Sequence, residues 1–165
     1  MTVDQRVGIV TGAGGGIGRA ICFKLAREGV RLVLADNEPK GIEALARELE
    51  QAGSDAMPCC VNVGEEADVR NCLERTIAGY GRLDILVNNA GIGAPPVPLE
   101  DLPYETWKQV VDTNLTGMFL CTQEAIRLMK AQTPRGGRII NNGSISAHTP
   151  RPGAAAYTAT KHAVT

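Results

Sequence analysis

The chain alternates between short apolar runs and longer segments in which apolar residues recur every three or four positions. The first kind reads as parallel strands covered on both faces, the second as amphipathic helices. Arg6 to Val10, Arg31 to Ala35, Asp55 to Val61, Asp84 to Val87 and Arg138 to Asn142 are the strand candidates. Ile17, Ala20, Ile21 and Leu25 predict one face of a first helix, which Gly29 ends. Ile42, Leu45, Ala46 and Leu49 predict the inner stripe of a second, begun at Pro39 and closed by Gly53. Val69, Cys72, Leu73, Ile77 and Tyr80 predict a third. A proline-containing loop over 91–98 leads to two more helices, one with Trp107, Val110 and Val111, the other with Leu115, Met118, Phe119, Thr122, Ile126 and Met129. A last helix opens at about Ala154. Such alternation implies right-handed crossovers and a doubly wound parallel sheet with helices on both faces, an α/β fold of Rossmann type.

Composition narrows the function classes. At 165 residues the chain is expected to form one domain, residues 1–165. A net charge of -1 with no block of Lys or Arg argues against nucleic acid. No apolar run reaches the length of a membrane span. The opening MTVDQRVGIV lacks a signal-peptide pattern. The five cysteines include no C-x-x-C pair, and Cys22, Cys72 and Cys121 fall on apolar helix faces. They read as reduced packing thiols of a cytoplasmic protein. No His/Cys/Asp cluster has metal-ligand spacing, so no metal is expected.

The stretch TGAGGGIG, Thr11 to Gly18, follows a strand and opens a helix. Strict G-x-G-x-x-G fails, because Ile17 takes the third position counted from Gly12 and Gly14. T-G-x-x-x-G-x-G fits, with Gly12, Gly16 and Gly18. Glycines there permit the turn and let the backbone approach a pyrophosphate, whose charge the helix N-terminus favours. Asp36 lies 18 residues beyond Gly18 at the tip of the second strand, where a carboxylate accepts hydrogen bonds from adenosine ribose hydroxyls. A 2′-phosphate beside it costs about 4 kcal/mol per charge pair at an effective dielectric of about 20. No Arg or Lys from Thr11 to Gly18 or at position 37 compensates, so NAD is expected over NADP. Near the other end, Ser144 lies just past the fifth strand, and Tyr157 and Lys161 share one face of the last helix. A hydroxyl, a phenol and an ammonium can therefore meet at the carboxyl end of the sheet.

Taken in order, TGAGGGIG, Asp36, the NNAG of 88–91, Asn114 in DTNLTG, Ser144, Tyr157 and Lys161 resemble the short-chain dehydrogenase/reductase family over essentially the whole chain. The resemblance implies that Gly12, Gly14, Gly15, Gly16, Ile17, Gly18, Asp36, Asn62, Val63, Asn89, Ala90, Gly91, Tyr157 and Lys161 hold the cofactor, with Asn62 standing where the family usually has Asp. Asn88 would mostly brace the sheet. Tyr157 would be the general acid/base. Lys161 would place a cation beside the phenol, which favours the phenolate, and would bond the nicotinamide ribose. Ser144 would orient the substrate oxygen, and Asn114 would hold a water linking Lys161 to solvent. The implied activity is NAD-dependent interconversion of a small-molecule secondary alcohol and a ketone, in a homodimer or homotetramer when full length. A hydrolase with Ser144 as nucleophile is rejected: GSISA is not G-x-S-x-G, His162 points off the Tyr157–Lys161 face, and His148, with Arg151, reaches at most a polar substrate. The family continues beyond this last helix with further strands and a lid, and this sequence stops at Thr165. A fragment, a chain lacking some of its segments, or a truncated product, with an uncovered sheet edge, is therefore expected, and the alternative reading is a dinucleotide-binding module without turnover.

Overall fold

In the computed structural model, which describes residues 6–165, five strands alternate with six helices. The strands are β1 (Val7–Thr11), β2 (Arg31–Asp36), β3 (Ala56–Cys60), β4 (Ile85–Asn88) and β5 (Arg138–Asn141). The helices are α1 (Gly16–Arg27), α2 (Pro39–Gln51), α3 (Glu66–Tyr80), α4 (Tyr104–Val111), α5 (Gly117–Ala131) and α6 (Ala155–Val164). The opening residues before Arg6, read above for a signal pattern, lie outside the described residues. All pairings are parallel, in the order β3-β2-β1-β4-β5. This is the doubly wound arrangement, with its topological switch between β1 and β4.

Alternation along the strands builds two cores. Ile9, Val33 and Leu86 point to one face and pack with Val69, Cys72 and Leu73 of α3 and Cys121, Ala125 and Met129 of α5. Val10, Leu32, Leu34 and Val87 point to the other, against Cys22 of α1 and Ile42, Leu45 and Leu49 of α2. Cys22, Cys72 and Cys121 are buried as the apolar pattern requires, and burial pushes the Cys22 and Cys121 thiols up to about 12.

Two local expectations are corrected. The inner face of α1 runs through Gly18 and Cys22, while Ile17 and Ala20 face outward. Gly18 must lie against the preceding turn, and that rotates the helix away from the face that apolarity alone selects. The two expected central helices are one continuous run, joined by a single π turn over Asp112–Thr116 that buries Asn114. The uncovered sheet edge expected from the sequence is present: β5 is an edge strand with mostly exposed residues, its Ile140 47% exposed.

The amino ends of three strands are pinned by Asp84. Its Oδ2 accepts from Val7 N at 2.9 Å and Arg82 Nε at 2.8 Å, and its Oδ1 accepts from Arg82 Nη2 at 2.7 Å. Its backbone bonds Val7 O and Arg138 N, so β1, β4 and β5 share one anchor. Burial alone would push the carboxyl up, but the Arg82 and Val7 hydrogen bonds and the Arg82 charge outweigh it and hold Asp84 below its ordinary value. A folded-state value below the unfolded one stabilises the fold above the ordinary carboxylate range, about 3.9, and that stabilisation is lost as pH falls through the folded-state value. Asp84→Asn is expected to cost about 2 kcal/mol at neutral pH by stranding the Arg82 guanidinium. Thermal denaturation would show a melting temperature lowered by about 4–8 °C, with the gap to the wild type closing in acid.

Candidate active site

Where β1 and β4 part, their ends open a cavity of about 1050 Å³ at the carboxyl side of the sheet. Its walls begin at the glycine turn. Gly12 has φ 64, and an added Cβ would stand 2.9 Å from Ala90 Cα, so the β1 and β4 exits run almost in contact. A Cβ on Gly18 would stand 2.0 Å from Gly12 O. At Gly16 it would meet nothing within 4 Å. Gly12 and Gly18 are therefore required by the protein's own packing, and Gly16 is bare on the cavity side without any such need. The N-terminus of α1 has no side-chain cap and no acidic residue in its first turn. It offers unclaimed N–H groups and a positive dipole end to an anion.

Asp36, at the end of β2, turns back toward this loop. Its Oδ2 accepts from Gly14 N at 3.0 Å and its Oδ1 from Glu38 N at 3.1 Å. Asn62 and Val63 follow β3 at the same end. Asn62 closes its own turn, its Oδ1 accepting from Gly64 N at 3.1 Å and its N donating to Asp68 Oδ2 at 3.0 Å. The Oδ1 keeps a second lone pair for a donor in the cavity.

Asn88 and Asn89 end β4 with different tasks. Asn88 Nδ2 bonds Thr122 Oγ1 and Asn141 Oδ1, bracing β4 to α5 and β5. Asn89 lines the cavity with Ala90 and Gly91, and its Nδ2 covers Thr11 O at 3.0 Å and Gly12 O at 3.2 Å.

The opposite wall carries Ser144, Tyr157 and Lys161. Ser144 caps the short turn Ile145–Ala147, its Oγ accepting from Ser146 N at 3.1 Å. That bond uses the oxygen and leaves the hydroxyl hydrogen for an acceptor elsewhere. Lys161, one helical turn beyond Tyr157 on α6, is 6% exposed; its Nζ lies 5.7 Å from the Tyr157 ring centre and donates to Asn142 O at 2.8 Å. The ammonium is thus held inside the cavity and keeps two further donors.

Every residue expected to hold the cofactor lines this one cavity. Asn114 does not. Its Oδ1 accepts from Ile92 N at 2.8 Å, while its Nδ2 donates to Ile92 O at 2.9 Å and Thr160 Oγ1 at 3.3 Å. Its amide fixes the loop after β4 and the underside of α6. His148 and Arg151 are exposed and stand outside the lining. Sequence reading passed over Gln109, Asp112, Thr113 and Asn142, which also line the cavity. Gln109 sits near the end of α4 and Asp112 and Thr113 lie in the π turn, and no local pattern announces that this segment borders the cavity. Among the described residues no group of three or more His, Cys, Asp or Glu gathers as a metal site, and no helix is long and apolar enough to cross a membrane.

The short chain dehydrogenase family model matches residues 6–165. The chain belongs to that family. It is 38% identical over 162 residues to a 3beta-hydroxysteroid dehydrogenase of Mediterraneibacter gnavus, covering 98% of this chain and 57% of that relative. Among solved structures, the 3-ketoacyl-(acyl-carrier-protein) reductase from Brucella melitensis complexed with NADH superposes with a TM-score of 0.92 at 34% identity, covering 98% of this chain and 66% of that one. NAD+-bound xylitol dehydrogenase gives 0.93 at 31%, covering 99% and 62%. The chain thus spans about three-fifths of the length of the curated relatives it matches. The chain shares the parallel five-stranded sheet of these dehydrogenase and reductase folds.

The two inner glycines of the turn can be told apart by experiment. Gly18→Ala is expected to overpack against Gly12 O and destabilise by about 1–3 kcal/mol. Gly16→Ala is expected to stay within about 0.5 kcal/mol of the wild type. Chemical denaturation of the two variants checks the contrast.

Proposed function

We propose that the protein is an NAD-dependent oxidoreductase that interconverts a secondary alcohol and a ketone. The carrying observation is that a single cavity joins an uncapped glycine turn and Asp36 at one end to Ser144, Tyr157 and Lys161 at the other. The fit to a dinucleotide rests on Gly16, which leaves open space where a side chain would stand, and on the free first turn of α1. In this reading Gly14, Gly15, Gly16, Ile17 and Gly18 hold the pyrophosphate, and Asp36 the adenosine ribose. Asn62 and Val63 flank the adenine, and Asn89, Ala90 and Gly91 line the path to the nicotinamide. The NADH and NAD+ complexes of the structural relatives support a nicotinamide cofactor. The preference for NAD over NADP rests on Asp36, whose charge opposes a 2′-phosphate.

When bound, the nicotinamide takes or supplies the hydride. The protein's own groups manage the proton. In oxidation, the Tyr157 phenolate accepts the hydroxyl proton as the carbinol hydrogen leaves with its electron pair and the C=O forms. In reduction, Tyr157 returns the proton to the carbonyl oxygen. Lys161 keeps its ammonium on the same wall, 5.7 Å from the centre of the Tyr157 ring. Ser144 donates its free hydrogen to the substrate oxygen and sets its angle. Asn114 acts from behind the wall by holding Ile92 and Thr160. Exposed Tyr104 on α4 and Phe119 and Ile126 on α5 support a homodimer or homotetramer, and the free thiols support a reducing, cytoplasmic setting.

Tyr157→Phe in the full-length protein is expected to lower turnover of a responsive alcohol by at least about a hundredfold while leaving NADH affinity by fluorescence titration unchanged. NADPH is expected to bind at least about tenfold more weakly than NADH. Unchanged turnover, or equal binding of both cofactors, overturns the reading.

A further inference from the structure

Asn142 stands one residue past β5 and is held at three points by three different elements. Its backbone N donates to Asn88 O at 2.9 Å. Its side-chain Nδ2 donates to Asn89 Oδ1 at 3.0 Å, and its backbone O accepts from Lys161 Nζ at 2.8 Å. The amide orientations are fixed by the network. Asn89 spans the backbone carbonyls of Thr11 and Gly12, which only an NH₂ group can do, so its Oδ1 faces Asn142. Asn142 must then present its own NH₂. The result is an unbroken path from Gly12 O through the Asn89 and Asn142 amides to the Lys161 ammonium. Gly143, the next residue, has no side chain to fix the chain as it leaves the strand.

We propose that Asn142 is a positioning residue, which ties the Lys161 ammonium to the glycine turn so that both ends of the cavity keep one fixed separation. Lys161 is almost fully buried and needs an acceptor. The acceptor in place is the Asn142 carbonyl, which the backbone bond to Asn88 O and the side-chain bond to Asn89 Oδ1 locate together. An apolar residue at 142 leaves Lys161 free to shift, and Asn89 Oδ1 unpaired. This inference rests on the reading above that Lys161 touches the nicotinamide ribose.

The test is a double-mutant cycle in the intact protein, with NADH affinity read by fluorescence and folding checked by thermal denaturation. Asn142→Leu is expected to weaken NADH about fivefold in the wild-type background, and less than about twofold where Lys161→Met is already present. Equal loss in both backgrounds, or loss in neither, overturns the positioning role. A merely structural Asn142 would lower the melting temperature without coupling to Lys161. If Lys161→Met weakens NADH but the cycle is additive, only this proposal falls. If Lys161→Met alone changes nothing, the assignment of Lys161 to the cofactor falls with it. Should Asn142→Leu fail to fold, Asn142→Ala enters the same cycle.

Discussion

The bond set joining Thr11 to Asn89 and Ala90 is the constraint on which the rest of the molecule depends. β1 and β4 are neighbours, yet the chain leaves them in opposite directions, toward β2 on one side and β5 on the other. Two parting strands leave backbone groups without ladder partners, and a crevice lined by such groups would take water or collapse. Thr11 Oγ1 resolves this by accepting from Asn89 N and Ala90 N, both at 3.0 Å, and donating to Val87 O at 3.3 Å. Asn89 Nδ2 covers the two carbonyls that remain. The crevice therefore opens between satisfied, mutually braced strand ends.

The charges at its two ends follow from that bracing. At the α1 end, glycine exposes the first helical turn, and a positive dipole end faces the cavity without a competing side chain. Asp36 stands at the same end as a carboxylate, its two oxygens accepting from Gly14 N and Glu38 N. At the α6 end the charged group is an ammonium, enclosed by the same asparagine network that closes the β1 and β4 exits. One set of amides thus locates both ends.

Most of this could be read before any coordinates. The three inner strands β1, β2 and β4 announce themselves because strands covered on both faces are apolar throughout, and the ends of all five moved little; the first shifted from Arg6–Val10 to Val7–Thr11. The glycine turn, Asp36 and the Tyr157–Lys161 pair were legible because each depends on short-range spacing. What escaped depends on contacts distant in sequence. Ile17 was placed on the inner face of α1 by its apolarity, but the approach of Gly18 to Gly12 O sets that helix's rotation. Two separate central helices were expected, whereas the chain runs through a π turn at Asn114 and buries its amide on Ile92 and Thr160. Asn142 carried no local signal, because its partners come from β4, the loop beyond it and α6.

The most direct test of the account is a crystal structure of the intact protein with NAD+. The pyrophosphate is expected over Gly14 to Gly18, with the adenosine ribose on Asp36 and the nicotinamide ribose within hydrogen-bond reach of Lys161 Nζ. A dinucleotide bound in the reverse direction, or bound away from the parting of β1 and β4, would contradict it.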